Sequence, residues 1–213
     1  MNRRNYLMFG TYLVAMPGVS WSQFEGAPVF FRAVNVDNPL TVREMLERGF
    51  DPNTLSEKGQ LPLYLAMRDG SFRVAEVLLA QPGLRIDAAN AAGETALMQA
   101  ALRGHVDWVR RLLDRGATFE REGWTPLHYA ASGPETAAVA LLLDRGARID
   151  APSPNRSTAL MMASRYGPES TVELLLARGA SLKVRNDLGL GAADFARLGG
   201  REGLADRLQK AER

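Results

Sequence analysis

Thr125-Pro126-Leu127-His128-Tyr129-Ala130 is the stretch on which the reading of this chain turns. The hexad recurs as Thr95-Ala96-Leu97-Met98-Gln99-Ala100 and as Thr158-Ala159-Leu160-Met161-Met162-Ala163, and looser copies start at Pro28, Leu61 and Gly191. The starts at 28, 61, 95, 125, 158 and 191 are separated by steps of 33, 34, 30, 33 and 33. The sixth position is always alanine: Ala33, Ala66, Ala100, Ala130, Ala163 and Ala196. The third is always apolar: Phe30, Leu63, Leu97, Leu127, Leu160 and Ala193. A fixed period with an invariant small residue describes modules that stack, because a larger side chain at the contact would force neighbours apart.

The T-P-L-H-x-A form and the period near 33 resemble the ankyrin-repeat family. The resemblance runs from about Ala27 to the C-terminus. It implies an all-α repeat fold, a solenoid of about six helix-turn-helix repeats joined by short β-hairpin loops. The second helices fit this. Val42/Met45/Leu46, Ala75/Leu78/Leu79, Val109/Leu112/Leu113, Val139/Leu142/Leu143 and Val172/Leu175/Leu176 share the i, i+3, i+4 spacing of one buried helical face. A glycine follows each, at 49, 83, 116, 146 and 179, where a left-handed residue is expected to end the helix. The first repeat, with Phe30-Phe31, and the charged last repeat depart from the pattern, as end caps must where one face meets water. The domain is expected over residues 23–213.

Two irregularities interrupt the period. Gln81-Pro82-Gly83-Leu84 carries one extra residue. The connection from Gly116 to Thr125 is 9 positions, against 12 from Gly146 to Thr158. The hairpin between repeats three and four is therefore expected to be stunted by about three residues, which either opens a notch in the binding face or is a neutral change of loop length.

Composition narrows the function. The 213 residues are 46% hydrophobic with no cysteine, which excludes a disulfide framework, a thiol nucleophile and a cysteine-ligated metal. Arg3 and Arg4 supply the whole formal charge of +2, so the repeats are neutral overall and lack the basic excess of a nucleic-acid binder. No apolar run reaches the ~18 residues of a membrane span. No nucleophile elbow, H-E-x-x-H, phosphate loop or calcium loop is present. His105 and His128 sit where the family carries structural histidines. The expectation is a protein that is not an enzyme and takes no cofactor.

Met1 to Ser22 reads as a secretory signal peptide. Arg3 and Arg4 form its positive start, Tyr6 to Met16 its short apolar stretch, and Ser20-Trp21-Ser22 a cleavage region before Gln23. Arg3-Arg4-Asn5-Tyr6-Leu7 is also similar to a twin-arginine export motif, although Met8 replaces the usual lysine. Both the ordinary and the twin-arginine routes deliver a protein to a bacterial periplasm. An apolar tail on a cytoplasmic protein is the other reading of the same residues.

The family resemblance implies a non-enzymatic protein-protein interaction module that presents a concave groove to a partner. Carried over position by position, the partner-binding residues are Lys58, Gln60, Glu94, Arg121, Trp124, Asn155 and Arg156 on the hairpins, and Arg68, Asp69, Leu102, Arg103, Arg165 and Tyr166 at the first-helix ends. The expected partner is another protein, the chain itself a monomer. An immunity protein or inhibitor of a secreted toxin or enzyme is the sharper alternative, and a cytoplasmic scaffold is a third.

Overall fold

A computed structural model describes residues 21–213, with side chains from Gly26 onward. The expected signal peptide falls largely outside the described residues. Its expected cleavage point after Ser22 falls inside the first helix.

Twelve helices follow one another among the described residues. They pair as α1 (Trp21–Asn35) with α2 (Pro39–Glu47), α3 (Pro62–Asp69) with α4 (Phe72–Leu79), and α5 (Ala96–Arg103) with α6 (Val106–Asp114). The series continues with α7 (Pro126–Ser132) and α8 (Thr136–Asp144), α9 (Ala159–Tyr166) and α10 (Glu169–Ala177), and α11 (Ala192–Leu198) and α12 (Glu202–Glu212). From α3 onward each first helix starts one residue after its hexad begins, whereas α1 starts earlier and holds Pro28 inside it. Thr95 caps α5 by accepting the Met98 N–H at 3.4 Å. Pro62 and Pro126 stand in the first turn of α3 and α7, where the missing N–H has no partner to lose.

The first helices pack in one row, α3 on α5, α5 on α7, α7 on α9 and α9 on α11. The hexad alanines lie in that row. Ala66, Ala100, Ala130, Ala163 and Ala196 are all 0% exposed. The close approach reaches the backbone at the turns. A Cβ on Gly133 would lie 2.7 Å from the Leu102 carbonyl oxygen of the preceding repeat, and one on Gly199 2.7 Å from that of Arg165. The second helices bury Val109, Leu112, Val139, Leu142, Val172 and Leu175 behind this row, each side chain contributing about 1.5–3 kcal/mol.

A ladder of side chain to backbone bonds joins successive hairpins, here called fingers. Asn53 accepts the N–H of Arg85 at 2.8 Å, Asp87 that of Thr118 at 2.8 Å, Glu120 that of Arg148 at 2.7 Å and Asp150 that of Ser181 at 3.1 Å. Glu120 serves the stunted finger, where a longer side chain spans the gap.

Two details differ from the sequence expectation. The fingers are tight turns with no strand assigned among the described residues. Two backbone bonds close each longer finger, such as Asn90 N–H to Glu94 C=O at 3.0 Å and Gly93 N–H to Asn90 C=O at 2.9 Å, and turns this short hold no longer ladder. Second, Gly49, Gly116, Gly146 and Gly179 end their helices with φ of 91°, 89°, 95° and 90°, but Gly83 does not. The extra residue lets α4 stop at Leu79, and Gly83 instead offers its carbonyl to the Asn53 amide at 2.9 Å.

Candidate partner-binding face

Finger and first-helix residues meet at Glu94, at the base of the second finger. One carboxylate oxygen accepts from the Tyr64 hydroxyl at 2.8 Å and the Asn90 amide at 2.9 Å, and the other from the Tyr129 hydroxyl at 3.1 Å. Tyr64 belongs to α3 and Tyr129 to α7, so one carboxylate ties three consecutive repeats. Burial works against the Glu94 charge, yet the bonds from Asn90, Tyr64 and Tyr129 prevail and hold the carboxyl below the usual carboxylate range. Burial, then the bond to Glu94, pushes the Tyr64 phenol up to about 12. Burial, then the Glu94 charge, pushes Tyr129 up as well.

Several expected contact residues are thus engaged within the fold. Glu94 has both oxygens occupied. Gln60 accepts from the Asn90 amide at 3.1 Å. Arg68 forms a two-pronged pair with its neighbour Asp69 at 2.6 and 2.7 Å. Asn155 accepts from the Ser153 hydroxyl at 2.6 Å and from the Ser157 N–H at 3.3 Å.

The others are exposed or half-buried. Lys58, Arg103 and Arg156 are exposed, and Arg121 is half-buried. Tyr166 is 55% exposed, with the Arg165 guanidinium 4.9 Å from its ring centre. Leu102 is half-buried. Trp124 is half-buried against the edge of His128, ring centres 5.3 Å apart.

The two histidines are structural. His128 accepts the Thr125 N–H at 3.2 Å on Nδ1, and its Nε2 lies 3.0 Å from the Ser157 carbonyl, the pattern of the Nε2–H tautomer. Burial lowers its pKa and keeps the ring neutral. His105 begins α6 with its ring edge on Phe72 at 4.8 Å, and burial lowers its pKa too. Trp108 is buried on α6, stacked with Phe72 and covered by Arg111 at 4.3 Å.

Two open hollows of about 340 and 380 Å³ lie on the second-helix side. Arg111 pairs with Glu76 and Arg73 with Asp37 at their rims. Among the described residues no three His, Asp or Glu side chains gather as a metal set, and no helix is long and apolar enough to cross a membrane.

Sequence reasoning missed Tyr64, Asn90 and Tyr129. The signal was available: Tyr64 and Tyr129 fill the fourth and fifth hexad positions, beside an acid at the finger base. What the period alone could not show is that one carboxylate reaches both.

Known proteins share this architecture. The family profile described as "Ankyrin repeats (3 copies)" matches residues 30–122 and 118–186. The chain belongs to the ankyrin-repeat family. The Ankyrin repeat and KH domain-containing protein mask of Drosophila melanogaster is 45% identical over 100 residues, which is 45% of this chain and 2% of the relative. The Transient receptor potential cation channel subfamily A member 1 homolog of Caenorhabditis elegans is 31% identical over 160 residues, 73% of this chain and 12% of its own length. The chain therefore spans only a small part of these relatives. Among solved structures, it is similar to a chain in the complex of a predatory endopeptidase from Bdellovibrio bacteriovorus with an immunity protein. The TM-score is 0.71 at 27% identity, covering 85% of this chain and 96% of that one.

Proposed function

We propose that this protein is a non-enzymatic interaction module whose finger-tip face takes up a partner protein. The observation that carries this reading is the distribution of unsatisfied groups. Cations and aromatics without an internal ion pair, Arg103, Arg121, Arg156, Arg165 and Tyr166, gather on the finger-tip face, while many arginines of the opposite side are matched by acids. Exposed arginine and aromatic anchors on a rigid scaffold are the groups that dominate protein interfaces. The stack presents them with little change of shape on binding. The chain acts as a monomer, since an open solenoid with capped ends needs no second copy.

Affinity capture with the wild type and with a Trp124→Ala/Tyr166→Ala variant tests this. A protein retained by the wild type and lost by the variant is the expected result. Failure of both to retain any protein contradicts the reading.

A narrower reading makes the partner an enzyme that the solenoid inhibits. The solved chain from the endopeptidase–immunity protein complex supports it through fold and coverage. The leader-like residues add the site of action: export by the ordinary or twin-arginine route to a bacterial periplasm. N-terminal sequencing of the mature chain checks the export step, with a start near Gln23 expected and an intact Met1 contradicting it.

A further inference from the structure

The finger tips share one turn. Gly59, Gly93 and Gly189 stand at corresponding places with φ of 67°, 78° and 74°, and each donates its N–H to the carbonyl three residues earlier at 2.8–2.9 Å. Gly123 has φ 81° in the stunted finger. In the finger between repeats four and five this place belongs to Arg156, with φ 63° and the same bond, to Ser153, at 2.8 Å. A left-handed backbone is disfavoured for a residue with a Cβ, and arginine lacks the short polar side chain that eases it for Asn and Asp.

Asp37 is the other non-glycine residue of positive φ among the described residues, at 51°. Its side chain accepts from the Val74 N–H at 2.8 Å and Arg73 Nε at 3.0 Å, and its carbonyl accepts from Arg73 Nη2 at 2.8 Å. The fold holds Asp37 from several sides. The exposed Arg156 guanidinium makes no hydrogen bond or ion pair among the described residues. A strained residue that its surroundings do not require points to use of its side chain.

Arg156 shares its face with Arg103, Arg121 and Arg165, none of which forms an ion pair among the described residues. The nearby acid Glu94 is held by its three donors, and the free finger carboxylates Glu57, Glu122 and Asp187 stand on the first, third and fifth fingers, leaving the fourth, which carries Arg156, without one. On the opposite side Arg145 pairs with Asp114 and Arg178 with Asp144, both at 2.8 Å, and Arg111 pairs with Glu76.

Building on the interaction reading above, we propose that the partner presents an acidic segment. Its Asp and Glu side chains are received by Arg103, Arg121, Arg156 and Arg165, and Arg156 is kept in a glycine's place to reach them. Paired guanidinium–carboxylate bonds suit this chemistry. A nucleic acid fits less well, because four cations interspersed with Glu57, Glu122 and Asp187 do not make a continuous phosphate track.

The test is a random 12-residue peptide display selected on the full chain, with affinities measured for the wild type, Arg156→Gly and Arg145→Ala. Selected peptides are expected to be rich in Asp and Glu. Arg156→Gly should weaken the best peptide about 10-fold, while raising the thermal midpoint by about 2–4 °C as the strain disappears. Arg145→Ala should leave the affinity unchanged. Binders without acidic enrichment, or an affinity untouched by Arg156→Gly, overturn the proposal and leave the interaction reading standing. A selection that yields no binders overturns both. A 12-nucleotide single-stranded DNA that binds more tightly than the best peptide overturns the proposal in favour of nucleic acid.

Discussion

Gly133→Ala asks whether the repeats are as closely nested as the hexad alanines imply. The added methyl would stand 2.7 Å from the Leu102 carbonyl oxygen, 3.0 Å from that of Ala101 and 3.2 Å from the Leu102 carbonyl carbon. All three are backbone atoms of the last turn of α5, so no side chain can swing away. Ordinary contact begins near 3.4 Å, and the two repeats must part by about 0.7 Å or tilt. The backbone at Gly133 is extended, with φ −87° and ψ 173°, which alanine adopts freely before a proline. The cost is therefore steric. Overpacking of this kind costs about 1–3 kcal/mol, against a gain of about 0.4–1 kcal/mol from a stiffer unfolded chain. The net is a loss of about 1 kcal/mol, or roughly 2–4 °C in thermal midpoint. Gly203→Ala is the control, since a Cβ there meets nothing within 4 Å. It lies in the first turn of α12 and should stabilise by up to about 1 kcal/mol. Urea unfolding of both variants supplies the measurement. A neutral or stabilised Gly133→Ala refutes the close approach of repeats three and four.

Three more outcomes follow from the geometry. The folded Glu94 carboxyl sits below its usual range, so its contribution is present at neutral pH and lost as pH falls through the folded pKa. The midpoint gap between wild type and Glu94→Gln should close on going from pH 7 to pH 3, read by thermal melts across that range. Burial holds both histidines below their usual pKa, so below about pH 6.5 protons enter the unfolded chain first. The wild type should lose stability from pH 7 to pH 5, and a His105→Gln/His128→Gln variant should lose less, as urea midpoints will show. Arg201 Nη1 donates to the carbonyls of Ala163, Ser164 and Gly167 at 3.1, 3.0 and 2.8 Å, closing the C-terminal end of α9. Arg201→Ala should cost about 2 kcal/mol and raise hydrogen exchange first in α11 and α12.

Periodicity made the architecture legible. Six alanines at equal intervals state that something packs tightly there, and 0% exposure for five of them is the structural form of that statement. The second-helix triads gave the other buried face for the same reason: a 3.6-residue helix has one inner side. The end of α4 was not legible, because one inserted residue moves a helix stop without changing the local composition. The contact face was legible only in outline. Position in the repeat placed Glu94 and Arg156 on it, but not their roles. Glu94 is a tie inside the fold because two tyrosines from non-adjacent repeats converge on it. Arg156 occupies a left-handed turn position, which shows only when the fingers are aligned with one another.

The most direct test of the whole account is hydrogen exchange on the full chain with and without a saturating binder selected as above. Protection confined to the finger tips around residues 57–60, 91–94, 121–124 and 154–157, and to the first-helix ends near Arg103 and Tyr166, is the predicted result. Protection centred on the second helices α4, α6, α8 and α10, with the finger tips unchanged, would contradict it.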